Sequence, residues 1–216
     1  MAKNNNWTDD YWLLVVQLYL KKPAGMKPLY SRAMIDLCLE IHVPPQVIRG
    51  KLEAVEKLQT PRVEKLWRAY GGSPTKLRRA VELLRQMKGF GNAEDFFDGV
   101  EVNETFERDF RPLSEEPNLT PMMLILILDL YFRLTTITMV PETPEVVELA
   151  RLMKVDAQKI ADVLFVYQYI DPYLNRQEVI FSPLLRPCQE VWSKYANKDL
   201  DELANYAQQL MEYFKS

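Results

Sequence analysis

Histidine is all but missing from this sequence: His42 is the only one in 216 residues. That removes metal sites built on two histidines and catalytic arrangements that need a histidine pair. Cysteine is scarce too. Cys38 and Cys188 lie far apart in apolar helical contexts, without metal-ligand spacing, so a reducing, cytoplasmic setting is expected. The seven glycines form no GxGxxG, GxxxxGK[ST] or GxSxG pattern, which leaves out the phosphate-cradling loops and the nucleophile elbow. The Gly71-Gly72-Ser73-Pro74 stretch reads as the end of one helix and the cap of the next. Long hydrophobic runs are lacking as well. The longest, Met122 to Leu128, meets Asp129 far short of the ~20 residues a bilayer span needs. The opening MAKNNNW carries no apolar segment, so no secretion signal is expected. Together these absences point to a non-enzymatic protein with no metal, no cofactor and no membrane partner.

What is present is a helical pattern that occurs twice. With 48% hydrophobic and 26% charged residues, the chain has the composition of a folded protein long enough for two domains. Shifted by 112 positions, WTDDYWLLVVQLYLK (Trp7 to Lys21) falls on LTPMMLILILDLYFR (Leu119 to Arg133). The same shift carries Ile35-Asp36-Leu37 onto Val147-Glu148-Leu149, Gln46 onto Gln158, Ile48 onto Ile160 and Leu52 onto Leu164. Further on, LWRAY (Leu66 to Tyr70) matches VWSKY (Val191 to Tyr195). The reading is an all-α protein of two homologous helical domains, residues 7–91 and 118–216, each with a central helix-turn-helix.

Caps and periodicity place the helices. Thr8 and Thr120 open the first helix of each copy, Ser31 and Thr143 the second, and Pro44-Pro45 and Asp156 the third. The expected apolar faces are Ile35, Leu37, Cys38 and Ile41, then Val47, Ile48, Leu52 and Val55. Copy two answers with Val146, Leu149, Ala150 and Met153, then Ile160, Val163, Leu164 and Tyr167. Trp67 with Tyr70, and Trp192 with Tyr195, are placed as core anchors of a fourth helix. The fifth runs through Leu77, Val81, Leu84 and Met87, answered by Leu200, Leu203, Ala207, Leu210 and Phe214. Only VIFSP near Val179 suggests a short extended piece.

Charge is distributed unevenly. Between Arg49 and Gly91 eleven cations face four glutamates, whereas residues 92–117 hold nine acids and two arginines. The acidic segment also contains Phe96, Phe97, Phe106 and Phe110, so it is expected to pack as an ordered connector and not to behave as a solvated tail. A helix-turn-helix followed by a basic stretch is the electrostatic footprint of a nucleic-acid binder. The other reading is an ordinary solvated face, or a basic surface covered by the acidic connector.

The motifs LTPMMLILILDLYFR, TPEVVELARLMKVDAQKIADVL, YIDPYL and EVWSKY, in that order, resemble the N-terminal helical domain found ahead of the catalytic module in HNH-type restriction endonuclease-like proteins. Copy one is similar through WTDDYWLLVVQLYLK, SRAMIDLCLEIHVPPQVIRGKL and LWRAY. The resemblance implies a DNA-associated ancestry without the HNH module itself. The whole chain also resembles small Bacteroides-type bacterial proteins that keep both copies, a likeness that brings no activity with it.

The leading expectation is a DNA-binding or regulatory protein working through copy one. Arg49 and Lys51 would lie near a groove of duplex DNA, and Arg62, Lys65, Arg68, Arg78 and Arg79 would meet phosphates. The competing expectation is a protein-interaction or self-association module, motivated by the apolar excess of MMLILIL and VLFVYQYI in copy two.

Overall fold

The computed structural model describes residues 7–91, 106–174, 176, 180–197 and 199–215. Among these there are ten α-helices and no strand. The chain divides into two compact units, Met1–Asn103 and Glu104–Lys215.

In the first unit a 3-10 turn, Asp9–Tyr11, leads into α1 (Trp12–Leu20), followed by α2 (Arg32–Ile41), α3 (Pro45–Glu56), α4 (Pro61–Tyr70) and α5 (Pro74–Arg85). Helix α1 packs against all four of the others. Its Trp12, Leu14, Val15, Val16 and Leu18 are buried, as befits a central helix that meets neighbours on several sides. Proline occupies the first turn of α3, α4 and α5, where its missing N–H costs nothing. Thr60 caps α4 by accepting from the Val63 N–H at 3.3 Å. Ser31 holds the cap position of α2, yet its hydroxyl makes no cap bond. Helix α2 stops at His42, which takes a left-handed conformation with φ of 54°. The turn closes as the Val43 N–H donates to the Cys38 carbonyl at 3.1 Å.

The long α1–α2 connection is pinned from within by Lys27, whose ammonium donates to the carbonyls of Lys21, at 2.7 Å, and Pro23. Desolvation, helped by the charge of Lys21, lowers the Lys27 pKa. The expected apolar faces of α2 and α3 are buried at Ile35, Leu37, Cys38, Ile41, Ile48, Leu52 and Val55. Val47 and Met87 depart from expectation and stand exposed: Val47 is one step off the phase that α3 turns inward, and Met87 lies beyond Arg85, where α5 ends.

The second unit opens with a 3-10 helix, Phe106–Phe110, then α6 (Pro121–Arg133), α7 (Pro144–Met153), α8 (Ala157–Ile170), α9 (Leu185–Tyr195) and α10 (Leu200–Met211). Helix α6 packs against all four later helices and the 3-10 helix. Every residue from Leu124 to Tyr131 is buried. The apolar excess of MMLILIL is therefore core material, and VLFVYQYI likewise buries Val163, Leu164, Val166 and Tyr167. Such burial is worth roughly 1.5–3 kcal/mol for each large aliphatic side chain. Thr120 caps α6 through the Met123 N–H, and Asp156 caps α8 through the Gln158 N–H. Inside, the Tyr167 hydroxyl donates to the Leu124 carbonyl at 2.9 Å.

Several internal features of the two units run in parallel. Helices α2 and α7 are ten residues each and both end at a left-handed residue, His42 or Lys154. The Val155 N–H donates to the Ala150 carbonyl at 3.1 Å, as Val43 does to Cys38. Tyr19 meets Trp67 edge-on at 5.8 Å, and Tyr131 meets Trp192 edge-on at 5.7 Å.

Of the acidic connector, residues 106–117 belong to the second unit. Phe110 is buried and lies 5.5 Å from the Tyr213 ring. Arg108 pairs with Glu190, and Glu116 with Lys159 at 2.7 Å. Residues 92–105, with Glu94, Asp95, Phe96, Phe97, Asp98, Glu101 and Glu104, lie outside the described residues, as does Val179.

Candidate nucleic-acid interface

Helix α3 turns Ile48, Leu52 and Val55 inward, and that phase sends Gln46, Val47, Arg49 and Gly50 outward. Together they form one broad outward ridge of the helix, with Gln46 and Gly50, four residues apart, along its middle and Arg49 and Val47 on its two flanks. Arg49 Nε lies 3.8 Å from Glu53 Oε1, one turn on, with both side chains about half exposed. Gly50 is solvent-exposed, and a Cβ added there would meet no atom within 4 Å. The fold gains nothing from that glycine, which costs about 1 kcal/mol against alanine in a helix interior.

Lys51 leaves this ridge. Its ammonium sits 4.4 Å from the centroid of the Trp7 ring and 4.9 Å from that of Trp12, a cation–π clasp onto the start of α1. Lys51 therefore does not stand beside Arg49 at a groove: two residues of advance carry a helical side chain about 200° round the axis.

The remaining expected contacts are exposed on α4 and α5. Arg62 reaches back to Asp9, with Nη1 2.7 Å from Oδ2, and Arg68 pairs with Glu64 one turn earlier. Arg78 lies 3.8 Å from Glu82. Lys65 and Arg79 are exposed and make no ion pair among the described residues. All these pairs are solvent-facing and worth only ~0.2–1 kcal/mol each, so a phosphate could exchange for the acid at small cost. Arg85 is different in kind. Its Nη2 donates to Glu40 Oε2 at 2.9 Å, and Nε bonds the other oxygen, which ties α5 to α2.

The acids of the connector are only partly visible. Glu107 is buried and bonded by Arg111 at 2.8 Å, so it serves its own unit and is not displayed as a phosphate mimic. Burial raises the Asp109 pKa against the opposing pull of Lys194 and Arg108.

No group of His, Cys, Asp and Glu among the described residues is arranged to hold a metal ion. Both cysteines are buried, and burial pushes each thiol up to about 12, which keeps them protonated and unreactive. No described helix is long and apolar enough to cross a membrane.

Gln46, Val47 and Gly50 did not stand out in the sequence, although a signal was there. Once Ile48, Leu52 and Val55 are taken as the inward phase, the outward set follows from the 3.6-residue period. Comparison with protein families, curated proteins and solved structures finds no match to this chain.

Proposed function

We propose that this is a non-enzymatic DNA-binding or regulatory protein in which the first unit supplies the contact surface. The observation that carries the reading is the join of α2 to α3 through the left-handed His42, with the outer side of α3 exposed and further exposed cations on α4 and α5. In this reading α2 and α3 form a helix-turn-helix. Arg49 lies at the groove, and Arg62, Lys65, Arg68, Arg78 and Arg79 meet phosphates. The parallel turns and ring contacts of the two units support descent from one duplicated helical domain of the kind that precedes HNH nuclease modules. After that duplication the first unit kept the basic surface.

Duplex binding measured by fluorescence anisotropy tests this. Affinity should fall steeply with added salt, and Arg78→Glu with Arg79→Glu should weaken binding to all sequences alike. Unchanged affinity in that double variant, or no binding at low salt, sinks the proposal.

The competing reading, a protein-interaction or self-association module, rests less on the apolar runs of the second unit, since most of their residues are buried. It keeps the exposed Phe165, Tyr173 and Phe181, the last 97% exposed. Light scattering over a range of concentrations separates the two: association without duplex binding would favour the second.

A further inference from the structure

We propose that the outward ridge of α3 is a base-edge reader: Gln46, Val47 and Arg49 contact bases in the major groove, and Gly50 keeps the middle of the ridge bare so that the helix can lie close to them. This rests on the DNA-binding reading and adds to it sequence preference, with named residues. Three observations converge. Val47, an aliphatic residue, is 42% exposed on a basic unit. One turn away, Gly50 has open space where a side chain would go. The phosphate-class cations, Arg62, Lys65, Arg68, Arg78 and Arg79, are on other helices, which leaves the first turns of this ridge one amide, one aliphatic and one guanidinium, the last 3.8 Å from the Glu53 carboxylate one turn on.

That mixture suits base edges better than phosphates. A glutamine amide donates and accepts at once, matching N7 and N6 of adenine, whereas phosphate offers only acceptors. Valine methyls match the C5-methyl of thymine, and arginine matches O6 and N7 of guanine. The residues that touch bases in a helix-turn-helix belong to the first turns of the second helix, and Gln46, Val47 and Arg49 are in the first turns of α3. A side chain at Gly50 would stand between them and hold the helix away from the groove floor.

The test is selection from a random pool of duplexes at low salt, with the full chain, Gly50→Leu, and the Arg78→Glu/Arg79→Glu variant run side by side. The unaltered chain should enrich sites that combine an A·T pair with a neighbouring G·C pair. Gly50→Leu should lose about tenfold or more on the enriched site relative to unselected duplex and show no fall in its thermal midpoint, since leucine is the better helix former in open space. The arginine variant should weaken on both. Binding without enrichment, or enrichment that survives Gly50→Leu, overturns the base-reading proposal and leaves charge-driven DNA binding standing. Failure of the unaltered chain to bind any duplex at low salt overturns both.

Discussion

The Tyr131 hydroxyl donates to Asp171 Oδ2 at 2.6 Å, which ties the last turn of α6 to the residue that ends α8. Burial and this bond raise the Tyr131 pKa, so the phenol stays a donor across the ordinary pH range. Tyr131→Phe removes the donor and leaves the carboxylate facing an edge of carbon. A hydrogen bond to a charged acceptor contributes ~1.5–3 kcal/mol, and a loss of that order should appear as an earlier urea midpoint.

A second prediction concerns pH. The thiols of Cys38 and Cys188 are raised from an ordinary 9.0 to about 12 by burial. A raised acid keeps its proton in the folded chain after the unfolded chain has lost it, so stability falls as pH rises. The contribution is fully present below about pH 9 and lost on the way to about 12. Thermal midpoints measured from pH 8 upward should decline, and Cys38→Ala with Cys188→Ala should flatten the part of that decline the thiols cause.

Glycine exchanges should change stability with opposite signs. At Gly50 a Cβ meets open space, and Gly50→Ala should raise stability by about 1 kcal/mol. At Gly71 it would meet the Trp67 carbonyl oxygen at 2.7 Å and the indole at 3.1 Å, so Gly71→Ala should cost roughly 1–3 kcal/mol. The reverse exchange applies at Lys154, held at φ of 58°: Lys154→Gly should be neutral to stabilising, by up to ~1 kcal/mol. Chemical denaturation of the three variants decides each sign.

The acids beside the candidate contact cations give a functional prediction. Glu53, Glu64 and Glu82 each sit one turn from Arg49, Arg68 or Arg78 on an exposed face. Changing all three to Gln should shift stability little while tightening duplex binding and steepening its salt dependence. Unaltered affinity would mean that these arginines do not meet DNA.

Much of the fold was legible in the sequence because amphipathic helices announce their inward phase. Helix α2 begins after Ser31 and ends at His42, close to where capping and periodicity place it. Helix α6 was harder to read: it is buried all round, and a helix without a polar face has no phase. Its apolar surplus looked like a docking surface when it was the centre of a unit. Val47 is aliphatic, yet the spacing of Ile48, Leu52 and Val55 puts it outside, and Met87 falls just past the end of α5, a boundary that apolar spacing does not mark. Lys51 could not be placed by charge counting, since its partners, Trp7 and Trp12, are more than thirty residues away along the chain. Nor does sequence say that the Ser31 hydroxyl, at a cap position, has no hydrogen-bond partner among the described residues.

The clasp of Lys51 by Trp7 and Trp12 gives the protein a built-in optical asymmetry. Three of the four tryptophans, Trp7, Trp12 and Trp67, lie in the first unit and Trp192 alone in the second. Two of the three share one ammonium, while Trp192 is surrounded by the rings of Tyr131, Phe132 and Tyr167. Intrinsic emission therefore reports mainly on the half of the chain proposed to touch DNA. A Trp192→Phe variant would make it a reporter of that half alone, so its unfolding and its ligand response could be followed without label and apart from its neighbour's.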